Sequence, residues 1–229
     1  MVSEEKVITP IRIKFSKTGD LMYISHLDLA RTMQRIILRA GIDIWYSEGF
    51  NPQPKMVFAL PLSTGVESVC ELLDIKLNSY MSNEEIMERL NQNFPRDMRV
   101  IEVYQPSIKF KEIEYAEYTL DLYSPKITED TAAKIDMLFS SECLIDKKTK
   151  SGVKTVDIRD YIKEITTQGG ENHIKISAIV YANNEKNLNP DLIVTAIKKH
   201  LDIMTTEGTE EYYTIMRQRF LDSELNEFN

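Results

Sequence analysis

The sequence predicts an α+β protein made of two tandem halves, residues 1–110 and 111–229, each in the order β-α-β-β-α-β with antiparallel sheets. Three observations carry this. ITPIRIKF and EYTLDLY alternate apolar and polar residues near the head of each half, which is the period of a strand. Each is followed by a capped segment with helical periodicity. Clusters of Gly, Pro and Asn then punctuate the remaining apolar runs.

In the first half, Ile11, Ile13 and Phe15 form one face of the opening strand, with Arg12 and Lys14 on a face expected to be wet. Lys17-Thr18-Gly19-Asp20 makes a turn. Ser25 is an N-cap with Asp28 three residues later, so a helix is expected over 26–40. Its apolar stripe is Leu29, Met33, Ile36, Ile37 and Ala40, and Gly41 closes it. Strands follow around 43–46, 55–62 and 69–78, with EGFNPQP turning the chain between the first two. Ser82 caps a second helix over 83–93, Pro95 ends the region, and a strand runs from 98 to 105.

The second half repeats the order. Thr128 caps a helix over 129–140, and strands are expected near 142–147, 154–166 and 173–181. Gln168-Gly169-Gly170-Glu171 marks a hairpin. Asn189 caps a helix with Pro190 at its first position, running to His200, and YYTIMRQRF closes the half. Twice over, this is the ferredoxin-like plan, with a boundary near Pro106 to Glu114.

With 229 residues, 42% hydrophobic and 28% charged, the chain has the composition of a folded protein rather than a disordered one. No apolar run approaches the roughly 18 residues of a membrane span, and the acidic amino terminus lacks the basic start of a secretory signal, so a cytoplasmic protein is expected. Cys70 and Cys143 lie far apart without metal spacing and read as small buried residues; neither a metal nor a cofactor is expected.

The net charge is −8, unevenly shared: residues 1–112 carry 14 basic and 15 acidic side chains, residues 113–229 carry 14 and 21. Such a chain opposes general attraction to nucleic acid but leaves room for local basic faces. One runs from Lys6 to Arg39, another through Lys147, Lys148, Lys150 and Lys154. On the first helix Arg31, Arg35 and Arg39 fall opposite the core stripe, about 6 Å apart along one side, close to the spacing of successive phosphates. The competing reading is a solvated face with an ion pair to Asp28. Leu27 and Leu38 also lie outside the core stripe and suit a packing or docking patch. Lys17 and Lys55 are further phosphate candidates. In the loop from Tyr46 to Lys55, Gly49 permits a positive φ, Pro52 and Pro54 stiffen the chain and Asn51 can form an Asx turn, while Tyr46 and Phe50 are placed to stack on a base. His26, beside the helix cap, is the one histidine with suggestive neighbours and a candidate general base.

The run from Arg12 to Gly65 resembles the bacterial domain of unknown function called radical-SAM-associated or radical-SAM-linked. The residues that carry the resemblance are Ser25-His26-Leu27-Asp28, Arg31 with Arg35, and Ser47 through Pro54. It implies a B12-binding radical SAM protein as partner; this chain has no CxxxCxxC of its own for an iron–sulfur cluster. The tandem plan is similar, more remotely, to RNA-processing proteins of the RAMP superfamily, whose glycine-rich loop is reduced here to Glu207-Gly208-Thr209. The arginine ridge and the stiffened loop, expected to converge on one surface, point to an accessory module that holds RNA or another substrate for that partner; the alternatives are an endoribonuclease or other enzyme using His26, and a protein-interaction domain.

Overall fold

A computed structural model describes residues 8–149, 152–206 and 210–229, the side chains of 147–149 excepted. Lys6, the side chains of Lys147 and Lys148, Lys150 and the segment Glu207-Gly208-Thr209 therefore lie outside the described residues. The chain divides into two compact units, one reaching to Phe110 and the other spanning Lys111–Phe228. Among the described residues the fold is α+β, with four α-helices and antiparallel strand pairing.

The first unit contains β1 (Thr9–Lys17), α1 (His26–Arg39), β2 (Met56–Phe58), β3 (Glu67–Leu77), α2 (Asn83–Asn93) and β4 (Met98–Tyr104). β1 pairs antiparallel with β3 and β4, and β2 pairs antiparallel with β3, giving the order β4-β1-β3-β2. Register places Ile11 opposite Ile75 and Ile13 opposite Leu73, so these side chains share one face. That face meets both helices: Met33, Ile36 and Ile37 of α1 and Ile86 and Leu90 of α2 are each fully buried in the same cluster. Each such side chain contributes roughly 1.5–3 kcal/mol by leaving water. Ser25 caps α1 as expected, its Oγ accepting from the Asp28 amide at 3.2 Å, and Ser82 does the same for α2 through the Glu85 amide. Gly41, with φ of 64°, turns the chain out of α1 where a side chain would be strained.

Two expectations need correction. Residues 43–46 form no strand: Ile44 and Tyr46 make isolated bridges to Leu77 and Pro54. Arg12 is not on a wet face, because the segment after β4 closes over it; it is 0% exposed, with Phe110 stacked on its guanidinium.

The second unit holds β5 (Tyr115–Tyr123), α3 (Thr131–Ser140), the hairpin β6 (Leu144–Thr149) and β7 (Gly152–Asp157), β8 (Ile162–Gly170), β9 (His173–Tyr181), α4 (Asp191–Leu201) and β10 (Tyr212–Leu221). Its sheet runs β10-β5-β9-β8, all pairs antiparallel. Setting aside the β6–β7 hairpin, this is the strand order of the first unit. The strand expected over 154–166 is two strands, broken by the turn Arg159–Tyr161. Asp130 rather than Thr128 occupies the cap position of α3, and Pro190 that of α4. Cys70 and Cys143 are both buried and form no disulfide.

Candidate functional site

The exposed face of α1 carries Arg31, Arg35 and Arg39, all three in solvent. Arg31 Nη1 lies 3.3 Å from Asp28 Oδ1, with both side chains about 60% exposed, so solvent screens the pair. The Ser25 hydroxyl donates to Asp28 at 2.7 Å and, with Arg31, holds that carboxyl below its usual range. Arg39 donates to the Asn93 carbonyl at 3.3 Å. Arg35 makes no ion pair among the described residues. Beside this ridge, Leu27 and Leu38 are 59% and 55% exposed.

His26 is exposed at the start of α1, its ring edge-on to Phe58 with centroids 5.3 Å apart. No hydrogen bond among the described residues joins it to a nucleophile or a carboxylate. Lys17 departs most from the sequence reading. It is 2% exposed, and its Nζ donates to the carbonyls of Val66 at 3.0 Å and Leu21 at 3.3 Å. It points with Ile13 and Phe15 into the helix-facing side of the sheet, so period-2 alternation takes it away from the surface.

The loop after Ile44 is pinched at its base. The Ser47 amide donates to the Gln53 carbonyl at 2.8 Å, and the Gln53 amide donates to Ser47 Oγ at 2.9 Å. Tyr46, at the pinch, packs against the core cluster and is only partly exposed. The tip projects: Asn51 is exposed and Phe50 makes almost no contact with the fold, at 113% relative exposure.

Lys55 belongs to a different surface. Ile75 and Leu77 face the helices, so Asp74 and Lys76 face the other side of the sheet. Val57 pairs with Asp74, and Pro10 with Lys76. Trp45 lies between Ile44 and Tyr46, both turned to the core, and its own ring therefore joins this opposite face. The Trp45 amide donates to the Lys76 carbonyl at 2.7 Å, and the Lys55 amide donates to the Trp45 carbonyl at 3.0 Å. Those two rungs bring both ammonium groups to the indole, Lys55 Nζ at 5.7 Å and Lys76 Nζ at 5.6 Å from the ring centroid. Together with the segment Pro106 to Phe110 these residues line a groove of about 700 Å³. Arg12 ties two of its lining residues together, donating to both oxygens of Asp74 at 2.7 and 2.9 Å and to the Ile108 carbonyl at 2.9 Å. Burial pushes the nearby Tyr104 phenol above its usual range, against the downward pull of the Arg12 guanidinium.

The candidate cations are thus divided among three places: Arg31, Arg35 and Arg39 on the helix layer, Lys55 on the opposite face of the sheet, and Lys17 inside. Trp45 and Lys76 were missed in the sequence. The signal was present in IDIWYS, where the alternation expected over 43–46 turns Ile44 and Tyr46 inward and leaves Trp45 outward, but nothing local names Lys55 and Lys76 as its neighbours.

In the second unit His173, Tyr123 and Tyr212 stack in series, with centroids 4.5 and 4.6 Å apart. His173 Nε2 is 2.9 Å from Asp121. The adjoining cavity, about 430 Å³, is lined by Glu210 and by no cation, so the case for an anionic ligand rests on the first unit. Among the described residues no group of three or more His, Cys, Asp and Glu side chains is placed to hold a metal ion, and no helix is long and apolar enough to cross a membrane.

No curated protein matches the chain in sequence. Among solved structures, a chain from the crystal structure of a Cbf5-Nop10-Gar1 complex aligns over 92% of this chain with 11% identity and a TM-score of 0.47; this chain spans 48% of it. An unknown protein from Galdieria sulphuraria aligns over 92% of this chain and 98% of its own, with 8% identity and a TM-score of 0.27. A putative glycine cleavage system transcriptional repressor aligns over 95% and 99%, with 13% identity and a TM-score of 0.25. At these scores the likenesses carry no argument about function. Residues 10–190 match one family throughout, and the chain accordingly belongs to the bacterial family described as "uncharacterized protein conserved in bacteria" (DUF2344).

Proposed function

We propose that the protein is a non-catalytic accessory module that holds RNA for a B12-binding radical SAM protein, gripping phosphates with the α1 arginines and offering Phe50 for stacking. The observation that carries this reading is Arg31, Arg35 and Arg39 at successive turns of one solvated face, in a chain whose net charge of −8 gives no general reason for exposed guanidiniums to be gathered. The partner comes from the sequence resemblance. Fluorescence anisotropy with labelled cellular RNA fragments tests the holding role. The parent protein should bind without cutting, and Arg31→Ala/Arg35→Ala should lose at least about tenfold in affinity. Equal binding by that variant, or no binding by the parent, would reject it. Cleavage by the parent that disappears in His26→Ala would replace it with an endoribonuclease.

The exposed Leu27 and Leu38 favour a second reading, in which α1 docks on the radical SAM protein. Recovery of that protein from nuclease-treated host lysate, abolished by Leu27→Asp/Leu38→Asp, would support docking without RNA.

A further inference from the structure

We infer that the Trp45 groove is a binding site for a single nucleotide, distinct from the arginine ridge. The base lies against the Trp45 indole and the apolar wall of Val57 and Ile108, and the phosphate sits between Lys55 and Lys76. The choice of a nucleotide among aromatic anions rests on the RNA reading; the site itself does not.

The groove is about 700 Å³, within the range of small-molecule sites. Three lysines line it, Lys55, Lys76 and Lys109, and the ammonium groups of the first two lie beside the indole. Its one carboxylate, Asp74, is already bound by Arg12 through both oxygens, so the field presented to a ligand is positive. The indole gives a flat apolar surface, and the backbone rungs between Trp45, Lys55 and Lys76 fix both lysine stems beside it. A ligand that satisfies every part of this lining has a flat ring and an anionic group a few bonds away.

Trp45 is the only tryptophan in the sequence, so its fluorescence reports on this groove alone. The full chain would be titrated with 5′-AMP, adenosine and inorganic phosphate. Saturable quenching by 5′-AMP is expected, weaker with adenosine and absent with phosphate. Lys55→Gln/Lys76→Gln, both exposed positions, should weaken 5′-AMP by about tenfold while melting like the parent. No saturable change with 5′-AMP at about 10 mM, a concentration above the millimolar dissociation constants of the weakest specific ligands, would overturn the site, as would equal affinity in the lysine variant. Arg31→Ala/Arg35→Ala should quench like the parent. Quenching by 5′-AMP in a protein that fails to bind RNA would leave the groove standing and remove the RNA module. RNA binding through the arginines, with 5′-AMP silent, would do the reverse.

Discussion

Glu211, at the head of β10, accepts hydrogen bonds from the Ser124 hydroxyl at 2.6 Å, the Met204 amide at 3.2 Å and the Thr206 amide at 2.5 Å. Burial by itself would raise its pKa. The donors from Ser124, Thr206 and Met204 outweigh that and bring it from 4.5 to about 2. Because the folded value lies below the unfolded one, this carboxylate stabilises the fold above about pH 5 and loses that effect as pH falls toward 2. Thermal melts should drop in midpoint across that window, and Glu211→Gln should melt lower at pH 7 with a flatter acid limb. A parallel pH dependence in parent and variant would contradict this. Nothing in the sequence singles out Glu211 from its neighbour Glu210; only the folded loop supplies three donors to one carboxylate. Arg12 teaches the same lesson, since alternation assigns it a face and cannot say that residues about a hundred positions away will cover that face.

At the scale of the element, the starts of α1 and α2 are legible locally. Ser25 and Ser82 were chosen from their own few neighbours, and each accepts the amide three residues on. Ser25→Ala and Ser82→Ala should each lower unfolding free energy by about 1 kcal/mol in urea titrations, without changing the slope with denaturant. A loss below a few tenths for both would show the caps to be idle. The failures came where local rules compete. Thr128 and Asp130 both suit a cap, and the structure uses Asp130 for position while the amide of Thr128 bonds to Thr131. Residues 154–166 read as one strand, yet Arg159–Tyr161 turns the chain so that β7 pairs with β6 and β8 with β9. In the β8–β9 hairpin the expected Gly169-Gly170 lie in the strand, and the turn is Glu171-Asn172, with Asn172 at φ 66°. Gly169 is needed for a different reason, because a Cβ there would run into the His173 carbonyl.

For the molecule as a whole, charge decides what kind of nucleic-acid binding is possible. With −8 overall, no general cationic attraction is expected beyond the contacts made by the ridge, and on that reading three arginines set the number of phosphates neutralised. Binding of single-stranded RNA should therefore weaken with salt at a slope of about −2 in log K against log salt, falling to about −0.7 in Arg31→Ala/Arg35→Ala. A slope several times steeper would mean that cations beyond the ridge take part. The sequence alone determined the α+β class, the helices with the serine caps of α1 and α2, and which faces of α1 and β1 are apolar, because these depend on residues within a few positions of one another. The tertiary structure decided which charges reach solvent. Lys17 was drawn inward, Arg12 was covered, and Lys55 was joined to Trp45 and Lys76 across an extended segment, because strand alternation and long-range pairing set the side each residue faces, and pairing partners are distant in the chain.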